Sequence, residues 1–296
     1  MHTGSNENKI DMQTVLKRII LGAALLLALH TAASAGELVI VQITDPQIGF
    51  YDEGDLAWET DRINRAIDAI NALKPDFVVF TGDMVQKTTD STQTALIKGC
   101  IARIAPEIEV LYVPGNHDAV CRDGRVDMSP YHERWGADRF RVERDGVLLV
   151  GFNSVLLNNE RHDTATIDRQ TEWLRETLEE GDGMKLVFTH YPFFMTDVDD
   201  EDASTHITGK YRRTYLDMMA DNGVRAIFSG HRHACIYRTY RGMELVTVSA
   251  LGRPLGKAPS GVEVIVVEDG ELSHRYCAIE AIPHSREELR QLLRQE

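Results

Sequence analysis

Phe77-Val78-Val79-Phe80-Thr81-Gly82-Asp83 is a short apolar run that stops at a glycine and a carboxylate. Its β-branched and aromatic residues, with no helical spacing, read as a strand buried on both faces. Glycine lets the chain turn sharply where the strand ends. The pattern recurs. Leu38-Val39-Ile40-Val41 leads into Thr44-Asp45-Pro46-Gln47, and Val110-Leu111-Tyr112-Val113 leads into Gly115-Asn116-His117-Asp118. Leu186-Val187-Phe188 ends at Thr189-His190, and Ala226-Ile227-Phe228 ends at Gly230-His231-Arg232-His233. In α/β folds the carboxyl ends of strands collect along one edge, where ligands bind. These strand ends therefore deliver carboxylate, amide and imidazole groups to one place.

Amphipathic stretches separate the strands. Ile63, Ala66, Ile67 and Ile70 share one face of a helix predicted over Leu56–Leu73. Helices are also predicted over Ala95–Ile104, Thr166–Leu178 and Tyr211–Ala220, with a further strand at Val147–Phe152. After His233 the helices stop. Cys235–Tyr240, Glu244–Val248, Val262–Val267 and Leu272–Ala278 read as a β-meander, broken at Arg241-Gly242, Gly252–Gly261 and Asp269-Gly270. A polar helix follows over Ser285–Leu293. The order predicts an α/β fold of two sheets with helices outside. Ala119–Arg134 and Met195–Thr208 are the longest stretches with no pattern, and loops of that length are usually functional or mobile.

The chain has 296 residues, 43% of them hydrophobic, which suffices for one large domain or two small ones. That content excludes intrinsic disorder, a collagen-like chain and a disulfide scaffold. Its 46 acidic against 32 basic residues give a net charge of -14, which argues against a nucleic-acid partner. Lys9, Lys17 and Arg18 precede the apolar run Ile19–Leu29, which ends near Ala33-Ser34-Ala35. The run is too short for a span of about 20 residues and fits a cleaved export signal. Residues 1–35 are thus expected to be a signal peptide, 36–282 the main folded domain and 283–296 a C-terminal polar helix. The protein is expected to be periplasmic or secreted, with no stable membrane anchor. Cys100, Cys121, Cys235 and Cys277 fit no metal-binding spacing, and their pairing stays open between disulfides and buried thiols.

The strand-end donors include no thiolate. Oxygen and imidazole donors suit dications such as Mn, Fe, Zn or Co. The set is too large for one tetrahedral ion. It suits two ions sharing a carboxylate, about 3.5–4 Å apart as in two-metal hydrolases.

The ordered series Asp45-x-Gln47, Gly82-Asp83, Gly115-Asn116-His117-Asp118, His190 and Gly230-His231-x-His233 resembles the calcineurin-like metallophosphoesterase superfamily. The resemblance runs from about Glu37 to about Ala281. Asp45-Pro46-Gln47, the loop from Ser249 to Gly261 and the acidic Asp197–Asp202 loop look like its single-domain serine/threonine-phosphatase-like subgroup. The resemblance implies a four-layer α/β/β/α sandwich of two mixed β-sheets flanked by helices. It also implies two divalent metal ions. Asp45, Gln47, Asp83 and His233 would hold the first, and Asp83, Asn116, His190 and His231 the second. His117 would be the catalytic acid.

Two positions depart from the pattern. Gln47 stands where the family usually has His. Gln86 stands where its protein phosphatases have an Asp that orients the histidine, which leaves that role to Asp118 or to the backbone, or leaves the histidine less well tuned. Val85 and Gln86 offer no phenolate, so the ferric–tyrosinate centre of purple acid phosphatases is not expected. The implied reaction is hydrolysis of a phosphomonoester, on a small phosphorylated metabolite or a phosphoprotein, by a water deprotonated between the ions. A phosphodiesterase and a metal-binding interaction protein without activity are the alternatives. Arg122, Arg125, Arg161, His162 and Arg253 are candidate substrate-binding groups. The acidic run Asp197–Asp202 reads as a solvated loop or a lid that repels polyanions.

Overall fold

The computed structural model describes residues 36–122, 125–158 and 164–294. The expected export signal over residues 1–35, Arg161, His162 and the side chains of Cys121, Arg122 and Arg125 lie outside the described residues.

Strands β1 (Leu38–Ile43), β2 (Phe77–Thr81) and β3 (Glu109–Val113) run parallel in a five-stranded sheet. Its order is completed on the β1 side by β12 (Gly261–Glu268) and β13 (Glu271–Ala278), both antiparallel to their neighbours. The second sheet has six strands. β7 (Val147–Gly151), β8 (Met184–Phe188), β9 (Val224–Ser229) and β11 (Met243–Thr247) are parallel in the order 7, 8, 9, 11. β6 (Phe140–Arg144) and β10 (Ile236–Tyr240) form its antiparallel edges. β4 (Val120–Arg122) and β5 (Arg125–Asp127) make a separate hairpin.

Side chains alternate across each strand, so one apolar run feeds two cores. Leu38, Ile40, Phe77 and Val79 face Leu149, Leu186, Phe188 and Phe228 of the other sheet. Val39, Val41, Val78 and Phe80 face the opposite way, against α1 (Ala57–Leu73), α2 (Ser91–Ile101) and α6 (Arg286–Leu293). Leu148, Val150, Val187 and Ile227 pack likewise against α4 (Thr164–Glu180) and α5 (Gly209–Asp221). The result is the four-layer α/β/β/α sandwich.

Helix ends follow local chemistry. Lys74 terminates α1 in a left-handed conformation, and Pro75 then blocks continuation. Asp90 accepts hydrogen bonds from the backbones of Thr92 and Gln93, which starts α2 earlier than apolar spacing predicts. The polar C-terminal helix is anchored: Leu289 is buried, and Arg286 and Arg290 both reach Glu37.

Two expectations are corrected, and one strand is new. The strands after His233 are not one meander. They are two hairpins, β10–β11 in the six-stranded sheet and β12–β13 in the five-stranded one. The intervening loop crosses between sheets, tied down by Leu251 N–H to Thr44 O and Gly252 N–H to Asp45 O. Ala119–Arg134 is not irregular, since it holds β4, β5 and the short helix α3 (Ser129–Trp135), started by Pro130. Strand β6 escapes an apolar search because Arg141 and Glu143 occupy its exposed face, as edge strands require. Its turn, Asp145-Gly146, has the same left-handed pair as Arg241-Gly242 and Asp269-Gly270. Cys100, Cys235 and Cys277 are free thiols. Among the described residues no helix is long and apolar enough to cross a membrane.

Phe188 is fully buried between the sheets, its ring 5.5 Å from Phe228 and 6.3 Å from Phe140. Phe188→Ala is expected to destabilise the fold by about 3–5 kcal/mol in a urea titration. A loss below about 1 kcal/mol would mean that the sheets do not pack through this layer.

Candidate metal centre

The carboxyl ends of β1, β2, β3, β8 and β9 meet at one edge of the sandwich. Asp45 N–H donates to Gly82 O, Gln47 N–H to Asp83 O, and Gly230 N–H to His190 O. Asp45, Gln47, Asp83, His231 and His233 all have positive φ, between 35° and 68°. Among the described residues the other four non-glycine residues in that region are Lys74, which ends α1, and three hairpin-turn residues. Left-handed backbone thus concentrates at the strand ends, where it aims side chains inward. Glycine is required beside them. A Cβ on Gly115 would lie 2.1 Å from Asp83 Oδ1, and one on Gly230 would lie 1.8 Å from Thr44 Oγ1.

The structure brings all eight predicted site residues to this edge. Ligand atoms of Asp83, His190 and His231 lie within 4.8 Å of one another. His190 Nε2 is 3.0 Å from Asn116 Oδ1, 3.1 Å from His231 Nδ1 and 3.4 Å from Asp83 Oδ2. Beside this group, His233 Nε2 stands 3.3 Å from Asp45 Oδ1. Asp45 Oδ1 and Gln47 Oε1 are buried oxygens that accept no hydrogen bond. A buried acceptor without a donor is costly, and a dication is the partner this donor set fits. Carboxylates, amide oxygens and imidazoles are the ligands expected for Mn, Fe or Zn.

Backbone carbonyls choose the face of each imidazole. A carbonyl only accepts, so the nitrogen beside it carries the proton and leaves the other one free. Thr81 O holds His190 Nδ1 at 2.9 Å, and Arg253 O holds His233 Nδ1 at 2.6 Å. Both rings then offer Nε2. Ser204 O takes His231 Nε2 at 3.0 Å, so that ring offers Nδ1. Gln86 O lies 2.8 Å from His117 Nδ1. The role left open between Asp118 and the backbone therefore falls to the backbone. Asp118 instead accepts the N–H groups of Asp83, Met84 and Gly115, stapling the ends of β2 and β3 together. Its burial and the neighbouring Asp83 charge raise its carboxyl to about 7.

The charges are tightly linked. Burial disfavours the Asp83 anion, but His190, His117 and His231 outweigh that and hold its carboxyl well below the usual range. Burial likewise lowers His190, yet Asp83 and Asp45 raise it to about 9. Burial and the positive charge of His190 push His231 down to about 4.

Several supporting residues carried no readable signal. Thr44 Oγ1 donates to Asp45 Oδ2 at 2.6 Å, and His231 N–H donates to the same oxygen at 2.9 Å. The acidic loop is ordered around Arg212, which is 1% exposed and donates to the carbonyls of Val198, Asp200 and Ile207. That loop supplies Ser204 O to His231. Arg253 stands beside the site with its guanidinium over Phe50 and Tyr51, and Phe50 packs edge-on against His233. A cleft of about 360 Å³ opens next to Asn116, lined by Ala119, Val126, Val155, Asn158, Tyr191 and Ser204. A larger cavity of about 680 Å³ lies along β10 and β11, and none of the eight site residues lines it.

Comparisons with known proteins agree with this geometry. The chain is similar to serine/threonine-protein phosphatase CPPED1 of Rattus norvegicus, 29% identical over 282 residues that span 88% of this chain and 90% of that protein. It is also similar to a cAMP/cGMP dual specificity phosphodiesterase of Mycobacterium tuberculosis, 26% identical over 64% of this chain and 59% of that protein. Among solved structures, a dimetal phosphatase from Danio rerio shares the fold with a TM-score of 0.62 at 12% identity, covering 81% of this chain and 95% of that one. A family model described as calcineurin-like phosphoesterase matches residues 38–235, from the first residue of β1 to just past His233. The chain belongs to the calcineurin-like phosphoesterase family, and its chemistry is metal-dependent hydrolysis of phosphoric esters.

Proposed function

We propose that this protein is a phosphomonoesterase that works with two divalent ions. Asp45, Gln47, Asp83 and His233 would hold one ion, and Asp83, Asn116, His190 and His231 the other. The observation that carries the assignment is the buried Gln47 Oε1 with no donor, next to Asp45 Oδ1, which has only His233 Nε2 at 3.3 Å, beside the cluster of Asp83, His190 and His231. When bound, the ions supply positive charge to the phosphate oxygens and acidify a water at neutral pH.

The chain's own groups do the rest. His117 N–H donates to Asp83 Oδ1 at 2.8 Å, which fixes His117 against the centre. With Nδ1 committed to Gln86 O, a protonated His117 presents its Nε2–H to the leaving oxygen. The cleft beside Asn116 has the size of a small-ligand site, which suits a metabolite or one phosphorylated side chain. Likeness to a serine/threonine-protein phosphatase along most of both chains supports the monoester reading. The shorter likeness to a cyclic-nucleotide phosphodiesterase supports a diesterase as the second reading. An inactive metal-binding protein had only Gln47 and Gln86 behind it, and these two side chains hydrogen-bond to each other at 3.0 Å. The export signal read in residues 1–35 supports action in the periplasm or outside the cell.

With Mn, Fe, Zn or Mg supplied, p-nitrophenyl phosphate is expected to turn over faster than its bis ester. The reverse order would replace the monoesterase with the diesterase. His117→Asn is expected to lower kcat by about 10²–10⁴-fold at unchanged metal content. Turnover at the wild-type rate would remove the acid role.

Chelation is expected to lower the melting temperature and Mn²⁺ to restore it, by about 2.7 kcal/mol at 100 times Kd. Gly115→Ala, whose Cβ would strike Asp83, is expected to abolish that response. A full Mn²⁺ response in this variant would show that Asp83 is not needed for the ions.

A further inference from the structure

We propose that Gln86 is a positioning residue: its side-chain oxygen turns the Gln47 amide so that Gln47 Oε1, rather than its NH₂, faces the metal centre. The inference rests on the ligand assignment above and concerns how a neutral ligand is kept the right way round.

The two ends of an amide are nearly the same shape, so packing alone does not choose between them. Charge does, and here it favours the wrong end. Asp45 and Asp83 line the site. An amide free to turn would offer its NH₂ to these anions and leave the ion one oxygen ligand short. Gln47 does the opposite. It is 1% exposed, its Nε2 donates to Gln86 Oε1 at 3.0 Å, and its Oε1 is buried with no donor. The hydrogen bond to Gln86 is what opposes the turn.

The main chain keeps the two residues in reach. Gln47 N–H donates to Asp83 O at 2.9 Å, and Gln86 N–H donates to Ile48 O at 3.0 Å. An isolated parallel bridge joins Ile48 to Val85 between them. Residue 86 thus serves two groups by separate means. Its side chain sets Gln47, and its carbonyl oxygen holds His117. Substituting the side chain alters only the first.

Mn²⁺ titration of the metal-free protein by calorimetry tests this. Gln86→Leu is expected to weaken binding at one class of site by about 10–100-fold, as loss of an outer partner does. Gln86→Glu, which can only accept and adds a negative charge, is expected to bind Mn²⁺ at least as tightly as the wild type. The decisive comparison uses Gln47→Glu, whose two terminal atoms are both oxygens and need no orienting. In that background Gln86→Leu is expected to cost no affinity.

An equal loss in both backgrounds would mean packing damage and would overturn the inference. So would unchanged affinity of Gln86→Leu in the wild-type background. A wild-type protein that binds no Mn²⁺ would overturn the ligand assignment itself, and this inference with it.

Discussion

Asp45 and Asp83 are carboxylates with almost no exposed surface, close enough that each feels the other's charge. Burying one unpaired anion is expensive, and burying two side by side is more so. Positive charge must therefore accompany them. In the protein alone it comes from imidazole: the carboxylates raise both His190 and His233 against the effect of burial. These are two of the groups proposed to take the ions. Protons and the proposed ions would thus compete for the same positions.

The cluster also explains where the backbone is strained. A non-glycine residue in the left-handed region costs on the order of 1–3 kcal/mol where nothing compensates. Hairpin turns account for Asp145, Arg241 and Asp269. No such turn accounts for Asp45, Asp83, His231 or His233. Their conformation is held by hydrogen bonds that converge on the same residues. Asp83 N–H is fixed by Asp118, and His231 N–H by Asp45. Strain and charge are balanced together, so loss of one support loosens several side chains at once.

How much of this was legible depended on whether side chains or main chain carried it. Five apolar runs, each ended by a ligand type, were enough to foresee the strands whose ends bring Asp45, Gln47, Asp83, Asn116, His117, His190, His231 and His233 to one edge; their roles are part of the proposal. Leu38–Ile43 is buried along its whole length and feeds two cores at once, but the two sheets were foreseen from strand–helix alternation followed by consecutive strands. The partition of the last four strands was not. Arg241-Gly242 and Asp269-Gly270 announce hairpins but not which sheet receives them. That choice is made by Leu251 and Gly252 bonding to the end of β1. The imidazole-orienting partners were equally silent, because Thr81, Ser204, Gln86 and Arg253 act through carbonyl oxygens that every residue has. The Gln47–Gln86 pair could be seen as two departures but not as one interaction, since 39 positions separate them.

The two sheets divide the site between them, and that division ties folding to ligand binding. The five-stranded sheet brings Asp45, Gln47, Asp83, Asn116 and His117. The six-stranded sheet brings His190, His231 and His233. Each proposed ion draws ligands from both sheets, so neither centre survives if the sheets slide past one another. Apolar packing between sheets is strong but non-directional, and it does not set register by itself. Directional bonds just beneath the site do. Gln42 Nε2 reaches Ser229 O at 3.2 Å, and His190 Nδ1 reaches Thr81 O, each from one sheet to the other. An ion held across the same seam adds its binding free energy to the docking of the sheets. The inter-sheet core and the metal centre are thus two ends of one interface, in which hydrophobic burial supplies strength and the polar end supplies alignment.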